Sequence, residues 1–76
     1  MKMQRNIRLG LDEVKSFVDA AMKCEFDVDI YYNHYTVDAK SILGVYGLDL
    51  TKVLTVCCHG YDAEFDRYLK AFAVAC

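Results

Sequence analysis

The spacing of apolar residues changes period several times along the chain, and each change marks an element. From Lys2 to Leu9, Met3, Ile7 and Leu9 fall on one face, with Arg5 the charged exception. Lys2, Gln4, Asn6 and Arg8 fall on the other, which predicts a half-buried strand. Gly10 breaks the alternation. Leu11 to Cys24 takes helical spacing, with a stripe of Leu11, Val14, Val18 and Ala21 widened by Phe17 and Met22. Gly10 is the expected N-cap. Asp12 and Glu13 stand in the first turn and Lys23 near the end, as the helix dipole favours.

Phe26 to Tyr32 alternates again, with Phe26, Val28, Ile30 and Tyr32 inward. Asp27, Asp29 and Tyr31 point outward. Asn33-His34 reads as a two-residue hairpin turn, because Asn tolerates positive φ, and Tyr35 to Ala39 as the returning strand. Ser41 caps a short helix that Gly47 stops. Leu48 to Lys52 is a connector. Val53 to His59 is a fourth strand, with Leu54, Val56 and Cys58 inward and Thr55, Cys57 and His59 outward. Gly60 ends it. Asp62 caps a last helix whose stripe is Phe65, Leu69, Phe72 and Cys76, flanked by Tyr68 and Ala73. The order βαββαβα, with alternating strands, predicts an α+β fold. It is a two-layer open-faced sandwich, a four-stranded antiparallel sheet with three helices on one face. Residues 1–76 read as one domain.

Composition narrows the function classes. The chain is 55% apolar and has no proline, which excludes a disordered segment or a proline-rich linker. A net charge of −2 argues against nucleic acid and against an anionic membrane surface. No apolar run reaches membrane-span length, and Met1 to Asn6 lacks the apolar core of a signal peptide, so a cytoplasmic location is expected. Cys24, Cys57, Cys58 and Cys76 include no C-x-x-C pair and read as free thiols in a reducing compartment. A disulfide framework, or a metal site built on Cys57 and His59, is the minor alternative; the latter would need further ligands that the sequence does not nominate. No cofactor or metal is called for, and no nucleophile–base spacing suggests an enzyme.

One stretch carries a resemblance. Asn33-His34-Tyr35-Thr36-Val37-Asp38-Ala39-Lys40-Ser41-Ile42-Leu43-Gly44-Val45-Tyr46-Gly47-Leu48 resembles HPr, the histidine-containing phosphocarrier of the bacterial sugar phosphotransferase system. Ala39 to Leu48 is its most specific part, while the N-terminal half matches by pattern only. The resemblance implies the same open-faced sandwich. It also implies a phosphoryl-accepting His at the start of the first helix, supported by an Arg. Here the His position falls on Gly10, the Arg position on Asp12 and the following Pro position on Glu13. No His precedes His34. The resemblance therefore implies a divergent member that cannot carry a phosphoryl group on histidine at that place.

Ser41 matches the serine that a dedicated kinase modifies in many members, a step in carbon catabolite regulation. It is the regulatory phosphosite candidate, and its hydroxyl can serve equally as a helix cap. Lys40, Ile42, Leu43 and Tyr46 are the partner-binding candidates. Ile42 and Val45 are expected inward, and Leu43 and Tyr46 are expected to frame an exposed apolar patch with the start of the first helix. By resemblance the partners are proteins: the HPr Ser kinase, other phosphotransferase-system components or catabolite regulators. The alternative is an HPr scaffold with an unrelated protein-binding or self-association role, and the oligomeric state stays open. His34 and His59 read as a turn residue and a strand-end residue.

Overall fold

A computed structural model describes residues 2–74. Four strands, β1 (Met3–Ile7), β2 (Val28–Tyr32), β3 (Tyr35–Asp38) and β4 (Leu54–Cys58), form one antiparallel sheet in the order β1-β4-β2-β3. Three helices, α1 (Val14–Met22), α2 (Ile42–Tyr46) and α3 (Ala63–Lys70), cover one face. The expected order and class are those observed.

The last strand in sequence sits in the middle. β4 pairs with β1 from Leu54↔Ile7 to Cys58↔Met3 and with β2 from Thr55↔Tyr31 to Cys58↔Val28. Its inward residues Leu54, Val56 and Cys58 are fully buried, as are Ile7, Val28, Ile30, Val14, Phe17 and Leu69 from the elements around it. The hairpin between β2 and β3 turns at Asn33, whose φ of 59° falls where Asn is tolerated better than most side chains.

Arg5, the exception in β1, does face the helices. Its Nε donates to Asp66 Oδ1 at 3.0 Å, and Nη2 lies 2.9 Å from the same oxygen. Asp66, on α3 between Phe65 and Leu69, is only 6% exposed. Lys70 Nζ stands 3.8 Å from its other oxygen. A carboxylate so nearly buried is costly without a partner, so the pair favours one placement of α3 against β1.

Several expectations need correction. The first helix opens with a 3-10 turn, Leu11–Glu13, and its α-helical part ends at Met22. The tighter winding and the early end move both limits of the stripe off the core. Leu11 is 68% exposed and Met22 is exposed as well. Phe26 precedes β2 and lies half-buried over Gly60. Cys57 does lie on the outward face, yet it is 6% exposed, because its cross-strand neighbours Gln4 and Asp29 stand over it in the centre of the sheet. Ile42 is 37% exposed; a five-residue helix buries one side, and Val45 takes that place.

The last helix stops at Lys70 rather than running on. Beyond it the chain returns beside β1, with Ala73 bridging Ile7. Arg8 N–H donates to the Phe72 carbonyl at 3.1 Å and Val74 N–H to the Asn6 carbonyl at 3.0 Å. The unpaired edge of β1 offers backbone partners that a continued helix would forgo. Phe72 still packs on Tyr68, ring centres 5.0 Å apart. Cys76, the end of the expected stripe, lies outside the described residues.

Gly60 tests the packing of this framework. A Cβ there would lie 2.5 Å from Phe26 Cδ2 and 3.0 Å from its Cβ, whereas at Gly47 the nearest atom is a carbonyl oxygen at 3.4 Å. Gly60→Ala is expected to lower stability by roughly 1–3 kcal/mol. Gly47→Ala should be neutral or slightly stabilising, by up to about 1 kcal/mol. Urea unfolding midpoints of the two variants check the contrast.

Cys58 supplies a pH test. Burial first, then Cys24, Cys57 and Asp66, push its thiol from the ordinary 9.0 up to about 11, with Arg5 opposing. The folded state thus holds this proton more tightly than the unfolded chain. The contribution is fully present below pH 9 and is lost as pH rises through about 11. Urea midpoints between pH 8 and pH 11 should fall less steeply for Cys58→Val than for the native chain.

Candidate functional site

Two places at the helical layer carry the residues singled out by sequence. The first is the entry to α1. Leu9 is buried and anchors the chain, and Gly10 follows in extended conformation. Gly10 N–H donates to Glu13 Oε1 at 2.7 Å, and Glu13 N–H donates back to the Gly10 carbonyl at 2.9 Å. A side chain at Gly10 would enter a space edged by carboxylates. Its Cβ would lie 2.9 Å from both Asp12 Oδ1 and Glu13 Oε1. This helix start therefore offers an incoming anion two negative charges, with one of its amides already engaged.

The second place is the start of α2. Ser41 is the N-cap, in extended conformation, and its Oγ accepts from Gly44 N–H at 3.2 Å. Its own N–H donates to the Asp38 carbonyl, and its carbonyl accepts from Val45. The hydroxyl is exposed. Gly44 lets the helix sit close to β3, since a Cβ there would stand 3.2 Å from both Val37 Cβ and Ser41 Oγ. α2 also packs on α1. Only Val45 of α2 is buried, so its other apolar side chains are left outside: Leu43 is 81% exposed, Tyr46 43%.

Lys40 is placed differently from its neighbours. Its Nζ donates to the Cys24 carbonyl at 3.0 Å, just past the end of α1, and its N–H donates to Asp38 Oδ1 at 2.9 Å. Its charge is thereby tied to the end of α1, where the helix dipole favours a cation. Cys24 is buried, and its thiol is raised above the usual range by burial first and by Asp62 second. Such a thiol is a poor nucleophile at neutral pH.

Both histidines lie away from the helix starts. His34 is exposed at the hairpin tip. His59 follows β4 on the open face of the sheet, with Nε2 3.0 Å from Asp29 Oδ2. The same face carries Asn6 paired to Thr55 at 3.0 Å and Gln4 beside Tyr31 at 3.5 Å. Its polar groups satisfy one another across strands. Among the described residues no three His, Cys, Asp or Glu side chains are grouped as a metal ion requires, and no helix is long and apolar enough to cross a membrane.

Sequence reasoning missed the Arg5–Asp66 pair, the His59–Asp29 pair and a groove beside Tyr32 and Asp49 described below. The first had a signal. Arg5 on the inward face of a strand and Asp66 beside the Phe65/Leu69 stripe are opposite charges on core-facing positions.

No protein-family model matches the chain, and no curated protein matches it in sequence. Solved structures do match. The chain is similar to the phosphocarrier protein HPr from Bacillus anthracis strain Ames, with a TM-score of 0.73 and 25% sequence identity. The match covers 96% of this chain and 98% of that one. The agreement in fold thus extends over nearly the whole length of both chains, as the sequence resemblance implied: this chain has an HPr-like fold.

Proposed function

We propose that this protein is a regulatory, protein-binding member of the phosphotransferase-system circle that does not carry a phosphoryl group on histidine. The observation that carries the reading is the entry to α1. By the sequence resemblance Gly10 takes the place of the phosphoryl-accepting histidine, and Asp12 Oδ1 and Glu13 Oε1 edge the space that a side chain there would enter. A phosphoryl group arriving there would meet two carboxylates where a cation is needed.

What remains for function is α2. The exposed Ser41 hydroxyl stands beside exposed Leu43, so a modifying enzyme and a docking partner would meet the same short segment. A phosphate on Ser41 would add nearly two negative charges next to an apolar contact surface and change which partners fit. Lys40, held on the Cys24 carbonyl, has its ammonium engaged there and adds no free charge at Ser41. Ile42, Leu43 and Tyr46 supply the contact area. The protein partners are a serine kinase and components or regulators of sugar uptake.

Intact mass after two parallel incubations tests this. Phosphoenolpyruvate with the first enzyme of the system should leave the mass unchanged. ATP with the HPr Ser kinase should add one phosphoryl group, and Ser41→Ala should abolish the gain. A gain in the first incubation would overturn the reading of Gly10. No gain in either would favour an HPr scaffold with an unrelated binding role.

The patch makes a separate prediction. Leu43→Ala should leave the unfolding free energy within about 0.5 kcal/mol of native, because Leu43 is 81% exposed, whereas Tyr46→Ala, at a residue more than half covered, should lower it by about 1–2 kcal/mol, both read from urea unfolding. Each should weaken partner binding several-fold in calorimetry.

A further inference from the structure

A groove of about 350 Å³ opens at the far end of α2, lined by Tyr32, Tyr35, Gly47, Leu48 and Asp49. Tyr32 and Tyr35 are the directly opposed pair that closes the β2–β3 hairpin, so their side chains share one face. By the alternation of β2 that face is the one bearing Val28 and Ile30, the helix side. The helical layer ends before reaching it, since α2 stops at Tyr46. Gly47 contributes no side chain, and buried Leu48 is an apolar surface at the groove. Tyr35 remains 68% exposed.

Asp49 is the one charged residue in the lining. Its Oδ1 accepts from Thr51 N–H at 3.1 Å and from Thr51 Oγ1–H at 2.6 Å. These bonds, more than the nearby Lys52, hold the carboxyl below its usual range, so it is anionic throughout the neutral range. Oδ2 has no hydrogen-bond partner among the described residues.

We propose that this groove receives an arginine side chain presented by a partner protein. Two phenol rings and one carboxylate oxygen match a flat cation. The guanidinium stacks on a ring while its N–H groups reach Asp49 Oδ2. A lysine ammonium is compact and strongly hydrated and gains less from the ring faces. The carboxylate disfavours an anion. The site is separate from the Ser41 reading, because it lies at the opposite end of α2 and uses none of those side chains.

The test is a titration of the native chain, followed by amide chemical shifts, with the capped tripeptide Gly-Arg-Gly. Peptides with citrulline or lysine in place of arginine are the comparison arms. Shifts are expected at Tyr35, Leu48 and Asp49, with affinity at least about fivefold lower for lysine and binding lost for uncharged citrulline. Asp49→Asn keeps the Oδ1 acceptor for Thr51 and removes the charge. Tyr35→Leu keeps an apolar surface and removes the ring. Each should weaken arginine-peptide binding by roughly fivefold or more, and the dispersion of each variant's own spectrum verifies that it folds. Absence of binding, an equal response to citrulline, a preference for lysine, or undiminished binding in both variants would overturn the proposal.

Discussion

The central place of β4 is the constraint on which the sheet depends. β1 touches the sheet only through β4, and the β2–β3 hairpin joins it only through β4. Residues 54–58 therefore connect two halves separated by much of the chain. Their inward side chains explain why the pairing holds. Leu54, Val56 and Cys58 are fully buried beneath the helices and meet Ile7, Val28 and Ile30 from both sides. Pairing of this range is slow compared with hairpin closure, since the loop must close before the contacts form. The hairpin at Asn33 and the first helix are local by comparison, and β4 is where they become one structure.

The helical layer answers to the same geometry. α3 follows β4 after a turn at Gly60, which packs so close under Phe26 that a side chain there would have to displace it. Asp66 then meets Arg5 of β1, so the edge strand farthest from the hairpin is tied to the last helix by charge as well as by Phe65 and Leu69. α2 is the exception. It is a single short element held by Val45, the Ser41 cap and the close seat of Gly44 against β3. Having one buried side chain, it leaves the rest of its apolar surface exposed, and both the Ser41 segment and the tyrosine groove lie at its ends.

Much of this was legible in the sequence because the periods are clean. The alternation in β2 and β4, the caps at Ser41 and Asp62 and the turn at Asn33 are local properties, and the structure bears them out. The misses are tertiary. Nothing local tells Leu11 that its turn will wind as 3-10, or Cys57 that Gln4 and Asp29 will shield it. Phe72 keeps the helical spacing of its stripe in a closing turn, yet beyond it the open backbone of β1 draws Ala73 and Val74 alongside. At the candidate site, the exposure of Leu43 and Tyr46 follows from spacing. The position of the Lys40 ammonium and the groove between a hairpin and a loop depend on how distant segments are brought together.

The returning tail has one more consequence. It occupies the Asn6–Arg8 end of β1, while at the opposite rim β3 has no further strand beside it among the described residues, although α2 packs against it. The two rims are thus unequal as templates for a further strand. Head-to-tail stacking of sheets, which needs both rims free, is obstructed at one of them. A pairing of one β3 edge with another would join like to like and close as a two-fold pair.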